Sequence, residues 1–293
     1  MDVSIVIVTK NRAEALAFTL EKIQKLMDSS KHEVLVFIDG CEATEFIKKD
    51  FAWVKWFGVT KSIGASPARN QLYKHATGAI LIGLDDDAHP ITASFIEKCT
   101  TLFHANSKLG IIAFQEVRGV FESDDLALEQ AEKEVIHYQT NDFIGCGFAI
   151  KKEVYQKTNG FPLWMDIYGE ETCVAYEVLD ADYEIIYDNS IIVNHRVNKK
   201  ERQQQGKYYF RFQKQLLNSA KFFFVYYKFP FFKIIKLFLH NFKKYACTDF
   251  KYFTLFLKSF LLFFIAIPAL LKWRKPLGKN TFEIIKNAKS LKY

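Results

Sequence analysis

Acidic residues almost vanish from the last third of this 293-residue sequence. Beyond position 198 only Glu201, Asp249 and Glu283 are negative, against 21 Lys and Arg, a net charge of +18. The first 198 residues hold 30 Asp and Glu against 19 Lys and Arg, a net of −11. One uniform surface is therefore excluded, and the two parts suit different partners. Cysteine is also sparse: Cys41, Cys99, Cys146, Cys173 and Cys247 are odd in number and form no CxxC pair. That excludes a disulfide framework or a zinc ribbon and fits reduced thiols in the cytosol. No basic segment precedes the apolar run Val3–Val8, which reads as a strand and not as a secretory signal, so the active part is expected to face the cytoplasm. Internal repeats and low-complexity linkers are absent, and no glycine-rich loop follows the first strand.

What is present alternates. Residues 3–8, 33–38, 53–59 and 79–84 are short apolar runs, separated by a helical pattern on Leu16, Leu20, Ile23 and Met27 and by another over 67–76. Further strands are expected at 111–117, 143–150, 182–187 and 191–193, with the acidic stretch 122–134 as a loop leading into a helix. Buried strands alternating with helices argue for an α/β fold with a largely parallel sheet, whose ligands lie beyond the carboxyl ends of the strands.

Asp85-Asp86-Asp87 sits at such an end, directly after Leu84. Three adjacent carboxylates there are costly unless something positive binds them, and a hard divalent cation shared with a diphosphate would do so. The plainer alternative is a solvated acidic turn. Asp39 closes the second strand and can accept an N–H from a nucleotide base, although Asp-Gly is also an ordinary turn. Thr9 and Asn11 can line the same pocket or cap the following helix. Arg69, just inside a helix start, suits a phosphate or a carboxylate but in isolation reads as a surface residue. Glu170 and Glu171 open a helix, where the macrodipole alone favours acids; one of them as general base is the functional alternative. His195, after Ile191–Val193, can be structural or complete a metal shell begun by Asp87.

The order of the pieces says more than any one of them. SIVIVTKNRAEAL, VLVFIDG, GASPARN, ILIGLDDDAHP, GCGFAIKKEVYQKTNGF, YGEETCVAYEVLDADYEI and IVNH, across residues 1–198, resemble the family 2 glycosyltransferases, inverting enzymes of the GT-A fold. The resemblance implies a Rossmann-like mixed sheet and a donor pocket of Thr9, Asn11, Asp39, Arg69, Asp85 and Asp86. It implies a divalent metal, Mn2+ or Mg2+, held by Asp87 with Asp85 and His195. At the middle position, Asp86, the family pattern tolerates many residues. Glu171 matches the catalytic base, departing from the family's Asp by one methylene, with Glu170 as the other candidate. The donor would be a nucleotide diphosphate-sugar, UDP or dTDP by default.

The tail, 205–293, mixes Phe, Tyr and Leu with regular Lys, as in FFFVYYKFPFF and FLKSFLLFFIAIPALL. Helices of this kind lie in a membrane interface. A soluble helical subdomain packed on the front is the alternative, and a span over 253–271 is a further one, interrupted by Lys258 and Pro268. No nucleic-acid motif accompanies the basic residues. The sequence thus predicts a catalytic domain over 1–204 and a membrane-associating region over 205–293. It would be a peripheral or monotopic enzyme on the cytoplasmic face of the membrane, acting on a saccharide or lipid-linked acceptor. A nucleotidyltransferase and a non-catalytic nucleotide-sugar-binding protein are the rivals.

Overall fold

The computed structural model describes residues 1–197 and 208–291; the expected boundary at 204/205 falls outside them. The β-branched runs form β1 (Val3–Thr9), β2 (His32–Asp39), β3 (Lys55–Val59) and β4 (Ile80–Asp85), all parallel. Their side chains alternate between two faces. Ile5, Ile7, Val34, Val36, Ile82 and Leu84 point to one hydrophobic core; Val6, Leu35, Phe37 and Leu81 point to the other. Helices α1 (Ala13–Gln24) and α3 (Phe95–Ala105) cover the first face, and α2 (Ala65–His75) and α6 (Glu170–Asp180) the second. Between α3 and α6 lie two short helices, α4 (Asp124–Glu129) and α5 (Lys152–Tyr155).

Beyond β4 the sheet becomes mixed. The short β5 (Ala88–Pro90) and β7 (His137–Gln139) join β6 (Leu109–Arg118), β8 (Gly147–Lys151) and β9 (Glu184–His195). The order is β3-β2-β1-β4-β8-β6-β9-β5, with β7 also on β9 and β8 antiparallel to both neighbours. Three expectations shift. The two short strands expected at 182–187 and 191–193 are one strand, β9, whose register against β6 slips between Phe114 and Gln115. The strand expected from 143 begins only at Gly147, because residues 142–146 turn toward the cleft and bring the Gly145 carbonyl to Arg69. Met27 lies past the end of α1 and packs on the core from outside the helix.

The tail forms α7 (Tyr209–Tyr226), α8 (Pro230–Asn241), α9 (Phe250–Leu270) and α10 (Lys279–Asn287). Asp249 caps α9 by accepting from the N–H groups of Lys251 and Tyr252. Phe212, Leu216, Ala220 and Phe224 of α7 pack with Phe256 and Phe263 of α9 and with Met165 and Cys173 of the front. Glu177 of α6, 2% exposed, accepts from Asn159 on one side and from Tyr226 and Lys275 on the other. The last described residues, from α10 on, return to the front of the molecule. Thr281 bonds Asp180, the Asn141 amide reaches the Ile285 carbonyl, and Leu291 is buried in the second core of the sheet.

One polar knot ties three strands together at their amino ends. Glu33, buried at the start of β2, accepts from Ser4 (2.5 Å), Lys55 (2.5 Å) and both the N–H and hydroxyl of Thr77 (2.6 and 2.7 Å). Burial opposes its charge, but these donors, led by Lys55 and Ser4, win and hold the carboxyl down at about 2 against an ordinary 4.5. The unfolded chain therefore binds the proton more tightly. The stabilisation is complete above pH 4.5 and is lost as pH falls through about 2. Denaturant melts should show the wild type more stable than Glu33→Gln at pH 6, with the gap closing toward pH 2. A gap that does not change with pH would refute the assignment.

Candidate active site

The register of the parallel strands places Thr9 beside Ile38 and Val8 beside Asp85, so the carboxyl ends of β1, β2 and β4 meet at one edge of the sheet. The acidic triplet turns there, and its three members point three ways. Asp86 goes under the turn: 5% exposed, it accepts from the Thr9 hydroxyl (2.8 Å) and from Arg12 (3.0 Å), while its carbonyl accepts from Thr19 (2.8 Å). Burial raises its pKa to about 6 despite Arg12. Thr9 and Asp86, expected in the donor pocket, thus spend their side chains on each other, and the middle position gains a structural job. Neither Thr9 nor Asn11 caps the following helix: Arg12 occupies the cap position of α1 without a side-chain bond.

Asp87 turns toward β9. Its Oδ2 accepts from Arg12 at 2.9 Å, whereas its Oδ1 is buried without a hydrogen-bond partner, 3.2 Å from His195 Nε2. Asp85, Asp87 and His195 bring one ligand atom each to within 4.8 Å of one another. An orphaned carboxylate oxygen beside a second carboxylate and an imidazole is the donor set a borderline-hard divalent cation takes. Burial opposes the Asp87 charge, but His195 and Arg12 hold its pKa below the usual range. Burial likewise opposes a charged His195, yet Asp87, Cys146 and Glu116 raise its pKa, so a cation on Nε2 would have to displace a proton held there.

Asp85 turns the other way, to Arg69. That arginine, 8% exposed, donates to Asp85 (2.6 Å), to Glu171 (3.0 Å) and to the Gly145 carbonyl (3.4 Å), with Glu170 at 3.6 Å. Far from a surface residue, it is the buried counter-charge to three acids. Glu170 and Glu171 begin α6 behind Gly169, whose φ of +105° suits glycine alone. They part company at once. The Glu170 side chain is 4% exposed with Oε2 unpartnered, and burial and the Glu171 charge both raise its pKa. Glu171 remains 20% exposed at the cleft. The extra methylene of Glu171 is accommodated by Gly145: a Cβ there would stand 2.3 Å from Glu171 Oε1 and 2.8 Å from Arg69 Nη2.

Asp39 is 3% exposed, and its carboxylate accepts from Ile63 N (2.7 Å), Ser62 Oγ (2.7 Å) and Gly64 N (3.0 Å). A carboxylate offers about four lone-pair sites, so the loop before α2 occupies most of them and one remains. Asn11 is exposed at φ +58°, a conformation asparagine tolerates, with its N–H on Cys41 Sγ. Sequence reasoning missed Arg12, Glu116 and Gly145. Arg12 was visible in the TKNR turn but had no partner to suggest a role. Glu116 sits in an apolar strand, where a buried charge is the signal.

Residues 4–158 match the family described as Glycosyl transferase family 2. A Haemophilus influenzae protein described as uncharacterized is 33% identical over 114 residues, which is 36% of this chain and 60% of the relative; the chain therefore spans less than two thirds of that protein. The mannosyltransferase PcManGT from Pyrobaculum calidifontis, solved with GDP-Man and Mn2+, superposes with a TM-score of 0.59 at 17% identity, over 97% of this chain and 83% of that one. S. aureus TarS 1–349 with UDP-GlcNAc gives 0.60 at 14% identity, over 88% and 79%. GalNAc-T7 with UDP, GalNAc and Mn2+ gives 0.59 at 17%, over 78% and 49%. At such identities the likeness is one of fold, the GT-A arrangement of the mixed sheet.

Removing Arg69 leaves buried acids without a counter-charge. Arg69→Met should lower unfolding free energy by about 3–5 kcal/mol in chemical denaturation, and Arg12→Met, whose side chain is 50% exposed, far less. Equal losses would contradict the buried-counter-charge role.

Proposed function

Because the chain belongs to glycosyl transferase family 2, we propose that it moves a sugar from a nucleoside diphosphate-sugar to an acceptor hydroxyl, with inversion at the anomeric carbon. The observation that carries this reading is the meeting of Asp85, Asp87 and His195 at the strand ends, beside the Arg69–Glu171 pair. Glu171 accepts the proton of the acceptor hydroxyl as that oxygen bonds to the anomeric carbon and the bond to the departing diphosphate breaks. Arg69 fixes the Glu171 carboxylate by one oxygen and leaves the other for the acceptor. Glu170, buried and raised in pKa, supports Arg69 from below. Asp87 and His195, together with Asp85, would hold a Mn2+ or Mg2+ ion, whose charge would offset that of the leaving diphosphate. Asp39 gives its last lone pair to the base and Asn11 borders the ribose side. UDP or dTDP suits the Asp39 edge; the solved relatives bind UDP, UDP-GlcNAc and GDP-Man.

The tail supports a membrane-bound acceptor, a lipid-linked saccharide or other envelope glycan precursor. On α8, Phe232 is 77% exposed and Ile235 58%; on α9, Leu261 is 61% exposed and Ile265 73%. Lys228, Lys233, Lys236, Lys244 and Lys258 of the same helices and their connections are exposed, and Asp249 is the sole acid between 208 and 275. Such a mixture inserts at an anionic lipid surface. α9 is long and apolar enough to cross a bilayer. Its Phe256, Ser259, Phe263 and Leu270 are, however, buried at helical spacing along most of its length, packed with α7. That favours a helix lying in the interface. The five free cysteines accord with the cytoplasmic leaflet.

Incubating a panel of UDP-, dTDP- and GDP-sugars with Mn2+ should release free nucleoside diphosphate; pyrophosphate release instead would identify a nucleotidyltransferase. Glu171→Gln should lower kcat by about 10²–10⁴-fold, with Glu170→Gln costing far less; the opposite ranking would make Glu170 the base. In flotation with phosphatidylserine vesicles the full chain should rise with the lipid, less so at high salt, and Phe232→Glu with Ile265→Glu should stay behind. A full chain that ignores these vesicles would overturn the membrane assignment.

A further inference from the structure

His195 has two ring nitrogens, and the site described above uses one. The other, Nδ1, lies 2.5 Å from Glu116 Oε1. Glu116 stands on β6 opposite Val193, with Arg118 opposite His195 in the same register. Its side chain is 2% exposed, and Arg118 Nη2 lies 2.7 Å from its other oxygen. A charge buried in the middle of a sheet is costly, and nothing in the packing of β6 calls for one. What it does is explicit in the geometry. A hydrogen on Nδ1 bonded to Glu116 leaves Nε2 as the nitrogen that faces Asp87.

We infer that Glu116 is a positioning residue for the metal ligand His195, an inference that rests on the reading of Asp87 and His195 as the metal site. Glu116 fixes the ring's tautomer and orientation and makes Nε2 a better donor, while Arg118 holds Glu116 in place from the far side. The arrangement runs carboxylate, imidazole, cation, and outer partners of this kind set affinity although they never touch the ion. The same imidazole edge is shared with Cys146. Cys146 is fully buried, and Glu116 Oε1 already lies 2.5 Å from Nδ1, so Cys146 enters the test as the alternative ligand beside this ring.

The test is Mn2+ titration of the purified full chain, followed by loss of the free-ion electron paramagnetic resonance signal, alone and with UDP. Wild type should bind. Glu116→Ala should weaken binding about 10–100-fold; Glu116→Gln, which keeps an acceptor oxygen and the side chain's shape, should lie between; Cys146→Ala should bind as wild type does. Each variant's melting curve accompanies the titration, and the Gln variant secures a folded protein if the Ala variant fails. Unchanged Mn2+ affinity in folded Glu116→Gln and Glu116→Ala overturns the inference while leaving the metal site standing. A loss in Cys146→Ala matching that in Glu116→Ala overturns it by placing the ion on the other side of the ring. Wild type that binds no Mn2+ in either condition sinks the metal-site reading itself.

Discussion

The site depends on one buried guanidinium. Arg69 is the point at which three pieces of chain distant in sequence meet: the end of β4 through Asp85, the turn before β8 through Gly145, and the start of α6 through Glu170 and Glu171. None of these acids would stay so close to the others without it, since like charges at this depth repel and protonate. Arginine, not lysine, fits here because its planar fork serves several acceptors at fixed angles. The tilt of Glu171 toward the cleft and the seating of Asp85 at its rim are two consequences of the same charge.

The triplet at the end of β4 shows how adjacent identical residues divide work. Backbone geometry sends neighbouring side chains in different directions, so one aspartate is buried under the turn, one faces Arg69 and one faces His195. Burying Asp86 is what makes the turn rigid. Thr9, Arg12, Thr19 and Arg196 all bond its carboxylate or carbonyl, from α1, the strand before it and the strand end beyond His195. The outer two carboxylates then stand on a platform tied down by these bonds.

Much of this was legible in advance. Short β-branched runs between amphipathic helices dictated the sheet, and Asp39 and Asp85 do close β2 and β4 at its carboxyl edge. What could not be read was tertiary. Arg69 looked like a surface residue because helix periodicity does not say which acids lie across a cleft. Thr9 looked like a pocket residue because its partner, Asp86, is 77 positions away. The single long β9 read as two strands because the break at Asp188–Ser190 resembles a turn, and only pairing with β6 on one side and β5 and β7 on the other carries it through. Gly145 opens one of the motif pieces, but the sequence does not give its reason, which is the absence of room beside Glu171 and Arg69.

Glu177 gives the two ends of α6 different owners. The helix begins with the cleft carboxylates, and two turns later its buried acid is neutralised by Tyr226 and Lys275 from the tail. A shortened protein ending before α7 would leave that acid only its bonds from Asn159 and strip Met165 and Cys173 of their cover. Shortening the chain would therefore disturb the very helix that presents Glu171, and the amphipathic helices would have to be studied by altering their outward faces with their inward ones left whole. By the same linkage, a single helix, α6, joins the tail to the cleft carboxylates.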